Sequence, residues 1–264
     1  MDRLAILIPA RLESSRFPGK LLQSVAGRSV LEWTWSRAVA AVGQESVWIA
    51  TDSAEIARTV AGFGGAVLRT GPCASGTDRV GAALNAIAPA PRWVINLQGD
   101  EPLMEPAVIL KVAERLRRTD DAIVTCASPL ACYEDWIDPA VVKVISAPDG
   151  RALCFSRLPI PGTRAPRGPA AFAAVRGRVR QHIGLYGFPA GLLQRFLALS
   201  PTELEAAEGL EQWRALEAGI PILVVPVDWS APAIDTPADL ERARPALEAE
   251  AVRREPERQE GPES

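Results

Sequence analysis

The sequence predicts an α/β fold with a mostly parallel central sheet, flanking helices and a later antiparallel subdomain. Three observations carry this. Short apolar runs alternate with segments of helical spacing as far as about residue 126. The first run opens directly into a loop bearing Arg11, Arg16 and Lys20, at the strand end where open α/β sheets bind ligands. Past Val141 the pattern changes to two short runs around a Pro-Asp-Gly turn.

The runs Leu4 to Ile8, Val47 to Ala50, Ala66 to Leu68, Trp93 to Leu97 and Ala122 to Cys126 have the length and composition of buried parallel strands. Between them, Ser29 to Val42, Ser53 to Gly62, Asp78 to Ala88 and Pro106 to Arg117 carry apolar residues at helical spacing. Ser53 and Asp78 are placed to cap their helices, and Gly43 and Gly64 to end the preceding ones. Val-Lys-Val-Ile from Val142, the turn at 148 to 150 and Ala-Leu-Cys-Phe from Ala152 read as an antiparallel hairpin. Residues 161 to 180 are rich in Pro, Gly, Ala and Arg and read as a mobile loop or lid rather than a packed element. One domain is expected over 1–248, with a charged, proline-interrupted disordered tail over 249–264.

Composition narrows the function classes. The chain has 264 residues, 48% hydrophobic and 23% charged, enough for a sizeable core, and its net charge of -3 supplies no global basic field for nucleic acid. The N-terminus opens on Asp2 and its apolar stretch is too short for a signal segment. No run approaches a membrane span, so a cytoplasmic protein without membrane attachment is expected. Four dispersed cysteines without a C-x-x-C pair, and a single histidine, His182, disfavour a structural zinc site and a Ser-His-Asp hydrolase.

The loop Pro9 to Lys20 has the composition of a polyanion cradle, although a solvated basic loop has the same composition. It is not a Walker P-loop, which needs glycine where Ser14 stands and Ser or Thr where Leu21 stands; a G-x-G-x-x-G fingerprint is also missing. Gln98-Gly-Asp-Glu-Pro102 follows the run Trp93 to Leu97, so Asp100 sits at a strand end just past a glycine. It is a candidate ligand for magnesium, which takes one or two protein carboxylates and completes its shell with water and substrate phosphate. Asp235 is a second candidate, and Asp-Thr-Pro-Ala-Asp also reads as a helix start. Ser75-Gly-Thr-Asp-Arg79 suits either a nucleobase edge or a helix cap.

Taken in order over about residues 4 to 245, several segments resemble the CMP-Kdo synthetases, the 3-deoxy-manno-octulosonate (Kdo) cytidylyltransferases. They are Leu7 to Lys20, Ala50-Thr-Asp52, Ser75 to Arg79, Asn96 to Pro102, Phe155 to Pro161, His182 to Gly187, Leu210 to Arg214 and Asp235-Thr-Pro237. The resemblance implies a Rossmann-like nucleotidyltransferase fold, with a nucleotide-binding half of about 1–130 and an acceptor-binding half of about 131–248. It implies an enzyme that couples CTP to Kdo for lipopolysaccharide synthesis with Mg2+ as cofactor, and a homodimer. On the positions of this sequence it assigns the triphosphate to Arg11, Arg16 and Lys20, and the cytidine to Ser75, Thr77, Asp78, Arg79 and Gln98. Magnesium goes to Asp100 and Asp235, and the acceptor to Arg157, Arg164, His182, Tyr186, Glu211 and Gln212. Arg11, Lys20, Asp100 and Asp235 carry the catalysis. An apolar dimer contact from Trp33, Trp35 and Trp213 is as compatible with the sequence as their burial in a core.

One stretch departs from the pattern. Gly162-Thr163 stands where the family commonly has an aromatic residue before the arginine, and Arg167, Arg176, Arg178 and Arg180 follow. That charge would suit a phosphonate, or an amino-Kdo-like sugar acid, as alternative acceptor. A non-catalytic nucleotide-binding regulator would not need both Asp100 and Asp235.

Overall fold

The computed structural model describes residues 3–14, 16–164, 166, 168–229 and 233–254. It is a mixed α/β protein in which the chain forms two compact units. One comprises Ile6–Ala86, Leu97–Pro106 and Ala231–Ser264, the other Met1–Ala5, Ile87–Asn96 and Ala107–Ser230. The units are therefore not consecutive halves divided near residue 130. The strand Ile123–Pro129 pairs in parallel with Ile222–Pro226 and antiparallel with Val179–Pro189, which joins it to the later chain. Conversely, the segment around Asp235 returns to the earlier chain, where Ile234 N–H donates to the Asp100 carbonyl at 2.9 Å.

The strands Leu4–Pro9, Val47–Thr51 and Ala66–Arg69 run parallel, with Ile6 opposite Val47 and Ala50 opposite Leu68. Every residue of Leu4–Pro9 is buried, as a strand covered on both faces requires. Helix Val30–Val42 starts on Ser29, whose Oγ accepts from Glu32 N–H, and stops at Gly43, which has a φ of 84°. Ser53 caps Ala54–Gly62 in the same way. Asp78, expected as a cap, stands three residues inside: Ser75 caps Gly76–Leu84, and the Asp78 carboxylate returns to the Ser75 N–H in a capping box. Trp33 is fully buried and donates its indole N–H to the Val25 carbonyl.

The C-terminal helix spans Pro237–Arg254, so the tail does not begin at 249. Its Glu250 accepts from Arg37, a buried guanidinium that holds this stretch in place. Residues 255–264 of the expected tail lie outside the described residues.

In the other unit the expected hairpin forms between Lys143–Ser146 and Ala152–Ser156, with Gly150 at a φ of 87° in the turn. Part of the expected lid is a packed element instead. Helix Pro169–Val175 buries Ala171, Phe172 and Val175 against Leu130, Trp136 and Val179. Three apolar residues at i, i+1 and i+4 supply enough buried surface to fix a two-turn helix that proline starts in its first turn. Arg167 lies outside the described residues. Among the described residues no helix is long and apolar enough to cross a membrane.

Candidate active site

The strand Leu4–Pro9 runs straight into the cation loop, and Ala10 N–H extends the ladder to the Ala50 carbonyl at 2.9 Å. Gly19, at a φ of 67°, turns the chain into the 3-10 turn Lys20–Leu22. Leu21 is buried there and anchors the turn, leaving Lys20 to line the cavity. The fully buried strand Trp93–Leu97 leads to Gln98, Gly99 and Asp100. A Cβ on Gly99 would lie 3.2 Å from the Pro9 carbonyl oxygen, so glycine permits the close approach of these two chain segments.

Helix Val30–Val42 then fixes the acidic turn from behind. Thr34 Oγ1 donates to the Gly99 carbonyl at 2.9 Å and Arg37 Nε to the Pro102 carbonyl at 2.8 Å. Asp235 is held at the start of the last helix, its N–H donating to Asp239 Oδ2 at 3.1 Å, while Thr236 and Asp239 cap that helix reciprocally. The main chain thus places the carboxylates of Asp100 and Asp235 independently of each other's side chains.

These carboxylates meet at Lys20. Its Nζ donates to Asp100 Oδ2 at 2.5 Å and to Asp235 Oδ1 at 2.9 Å, and Arg16 Nη2 lies 3.0 Å from the same Asp235 oxygen. Burial alone would lower the Lys20 pKa, but Asp100 and Asp235 together outweigh it and hold the ammonium above its ordinary value. Glu101 faces inward instead. Burial, with the charges of Asp100 and Asp235 adding to it, raises its carboxyl well above the usual carboxylate range. Of the sequence's acidic pair, only Asp100 reaches the cavity.

The cavity is about 250 Å³ and is lined by Arg11, Arg16, Lys20, Ser75, Arg79, Gln98, Asp100 and Asp235. Thr77 and Asp78 do not line it: Thr77 is buried in the first helical turn and Asp78 serves the capping box. Arg79 is also committed, Nη2 to Asp52 Oδ2 at 2.9 Å and Nη1 to Thr70 Oγ1 at 2.6 Å, so it braces the wall more than it offers charge. Gly76 closes the wall, a Cβ there falling 3.4 Å from Gln98 Oε1. Glu13, Ser14 and Cys73 line the cavity without having been singled out, because nothing in their local sequence marks the direction in which a loop side chain points.

In the other unit, His182, Tyr186 and Gln212 come together, with Phe155 completing the group. The His182 ring lies 5.2 Å edge-on from Phe155 and 5.3 Å from Tyr186, and Gln212 Nε2 donates to the Tyr186 hydroxyl at 2.5 Å. Thr125 Oγ1 lies 2.9 Å from His182 Nε2 and also 2.9 Å from the Leu185 carbonyl. A hydroxyl has one hydrogen and a carbonyl can only accept, so the hydroxyl donates to the carbonyl and Nε2–H donates to the hydroxyl. The mass of protein around the ring lowers its pKa to about 3. At neutral pH the imidazole is neutral, with Nδ1 an acceptor, which suits binding a hydroxyl better than removing its proton.

Burial first, then the charge of Glu211, raises the Tyr186 phenol well above its ordinary value, so it remains a donor. Arg157 is anchored by main-chain carbonyls, and Arg164 is exposed. Two of the lid arginines are engaged at separate places. Arg176 stacks over Phe172 at 5.9 Å, while Arg180 lines a hollow with Lys111 and Arg115.

A cation loop after one strand that grips one carboxylate past the end of another strand and a second at the start of the last helix defines a nucleotidyltransferase-type site. The sequence model of the cytidylyltransferase family matches residues 5–222. Proteins described as 3-deoxy-manno-octulosonate cytidylyltransferase are similar over most of this chain. That of Anaeromyxobacter sp. (strain K) is 46% identical, covering 94% of this chain and 99% of its own length. That of Myxococcus xanthus (strain DK1622) is 41% identical, covering 94% and 97%. A solved CMP:2-keto-3-deoxy-manno-octonic acid synthetase complexed with CTP superposes with a TM-score of 0.85 at 34% identity, covering 94% of this chain and 99% of that one. A cytidylyltransferase from Leptospira borgpetersenii, at 14% identity and a TM-score of 0.62, shares the fold. The chain belongs to the cytidylyltransferase family, and within it to the 3-deoxy-manno-octulosonate cytidylyltransferases.

Proposed function

We propose that this protein is a Mg2+-dependent enzyme that couples CTP to Kdo, giving CMP-Kdo and pyrophosphate for lipopolysaccharide synthesis in the cytoplasm. The observation that carries the reading is the single ammonium of Lys20 held by both Asp100 and Asp235 inside a cavity that Arg11 and Arg16 also line. Two carboxylates that reach one cation fit a hard divalent ion. Among the described residues no group of three or more His, Cys, Asp or Glu gathers, so the remaining ligands would come from phosphate and water, as magnesium prefers. When bound, the ion would neutralise charge on the reacting phosphate.

The chain's own residues supply the rest. Arg11, Arg16 and Lys20 hold the triphosphate, Lys20 exchanging carboxylate oxygens for phosphate oxygens at small cost because both partners are anionic. Ser75 and Gln98 meet the cytidine, and Arg79 braces that wall through Asp52. In the other unit Arg157 and Arg164 bind the acceptor carboxylate. His182, Tyr186, Glu211 and Gln212 meet its hydroxyls, with Nδ1 of neutral His182 accepting. The acceptor's anomeric oxygen forms a bond to the α-phosphorus, the bond to the bridging oxygen of pyrophosphate breaks, and the hydroxyl proton leaves to solvent. Positioning and charge stabilisation account for the catalysis, without a protein nucleophile. Kdo is favoured over a phosphonate because Arg176 and Arg180, two of the lid arginines, are engaged at separate places.

The test is pyrophosphate release with Mg2+ and each of CTP, UTP and ATP against Kdo, amino-Kdo and simple phosphonates. Release with CTP and Kdo supports the reading; release with CTP and a phosphonate in its place, or none with any acceptor, contradicts it. The homodimer remains part of this proposal. Trp33 is withdrawn from any dimer contact by its complete burial, which leaves Trp35 and Trp213, both half-buried, as candidates.

A further inference from the structure

Lys143 is completely buried at the start of the strand Lys143–Ser146, and its Nζ donates to three main-chain carbonyls: Asp138 at 2.8 Å, Val141 at 2.6 Å and Arg157 at 2.5 Å. An ammonium has three hydrogens, and these acceptors use all of them. A buried charge without a hydrogen-bonded carboxylate is costly, and an apolar side chain of similar volume would fill the space without that cost. What the charge achieves is to tie the segment Asp138 to Val141 to the carbonyl of Arg157.

The other side of the same backbone is held by Glu208. Its Oε2 accepts from Arg157 N–H at 2.7 Å and its Oε1 from Ser156 Oγ at 2.8 Å, while Ser156 Oγ accepts in turn from Leu158 N–H at 3.0 Å. The guanidinium is caught in the same frame, Nε donating to the Glu208 carbonyl at 2.7 Å and Nη1 to the Pro139 carbonyl at 3.0 Å. Two of its three nitrogens are thus committed to main chain, and among the described residues Nη2 is the corner that remains to meet an anion.

We infer that Lys143 and Glu208 form a positioning pair: the buried ammonium fixes the Arg157 carbonyl, the carboxylate fixes its N–H, and the guanidinium is presented in one orientation. The inference rests on the proposed reading of Arg157 as an acceptor-binding residue. Both members act through the backbone of Arg157, and neither is assigned a contact with substrate. Their loss should therefore appear in acceptor recognition and leave nucleotide binding, built in the other unit, as it was.

The experiment compares Lys143→Met, Glu208→Gln and Arg157→Ala for the KM of Kdo, the KM of CTP and the thermal midpoint. Lys143→Met and Glu208→Gln are expected to raise the Kdo KM about tenfold or more, in the direction of Arg157→Ala, with the CTP KM little changed. Equal increases in both KM values, or an unchanged Kdo KM in the two pair variants, overturns the inference while leaving the Arg157 assignment intact. An unchanged Kdo KM in Arg157→Ala overturns the acceptor reading, and the inference with it.

If Lys143→Met does not fold, the wild-type pH profile decides. Burial lowers the Lys143 pKa to about 8, with the charges of Asp138 and Glu208 opposing that shift and Arg157 adding to it. A neutral amine has only two hydrogens for three carbonyls, so the Kdo KM should rise as pH passes about 8 while the CTP KM does not. A Kdo KM that stays level through that range overturns the pair.

Discussion

Replacing Lys20 by methionine keeps most of the side chain and removes the cation on which Asp100 and Asp235 converge. The Asp100 contact is largely sheltered, with 14% and 19% of the two side chains exposed, and a charge-assisted bond of this kind is worth about 2 kcal/mol. Asp235 is 36% exposed, so solvent screening reduces its contact to about 1 kcal/mol or less. The same ammonium is assigned to the triphosphate, where at least comparable contacts are lost. About 3 kcal/mol then corresponds to roughly a hundredfold fall in kcat/KM. The nucleotide-free protein should move the other way. If the proposed metal site is right, Lys20 competes with the ion for the two carboxylates, and Lys20→Met should bind Mn2+ more tightly, by about tenfold for each 1.4 kcal/mol of lost competition. Steady-state kinetics and Mn2+ titration followed by electron paramagnetic resonance read the two effects separately. Unchanged or weaker Mn2+ binding in the variant would refute the idea that ammonium and metal share one position.

Two further outcomes follow from burial. His182 has a folded pKa of about 3 against about 6.5 unfolded, so below pH 6.5 the unfolded state binds the proton that the folded state refuses. The stabilisation is fully present above pH 6.5 and falls by about 1 kcal/mol for each pH unit on acidification through that window. His182→Gln should flatten this part of the stability profile in urea titrations from pH 6.5 to 4, and an unaltered slope would show that His182 titrates normally. Phe172→Ala removes a buried ring packed with Trp136 and should cost about 3 kcal/mol, exposing the 161–180 segment to limited proteolysis. A stability loss below about 0.5 kcal/mol would return that segment to the status of a mobile lid.

The strands and helices of the first 130 residues were legible because their signals are local. Val47 to Thr51 is apolar and short, and Ser29 and Ser53 carry the oxygen that their helix ends require. The Asp78 cap was misplaced by three residues because Ser75 and Asp78 are both capping types, and only their reciprocal bonds show which stands outside the helix. The lid was misjudged for a different reason. Pro, Gly and Ala describe a loop when counted as composition, but Ala171, Phe172 and Val175 form one apolar face whose partner, Trp136, lies more than thirty residues earlier in the chain.

At the site, the sequence identified Asp100, Asp235 and the cation loop. It did not show that Lys20 bridges the two aspartates or that Glu101 turns into the core, since both depend on how segments far apart in sequence are brought together. Thr34 and Arg37, which hold the acidic turn through main-chain carbonyls, have no sequence signature. Lys143 is equally silent, because a lysine in a strand ordinarily points to water.

The central claim is that Asp100 and Asp235 hold one divalent cation together, and Mn2+ titration of the CTP-bound protein tests it most directly. The wild type should bind one high-affinity Mn2+ per active site. Asp100→Asn and Asp235→Asn should each weaken that ion by about tenfold or more, with the double variant hardly worse than either single one, because the ligands of one ion do not act additively. Two independent losses that simply add, or full Mn2+ affinity in either single variant, would contradict it.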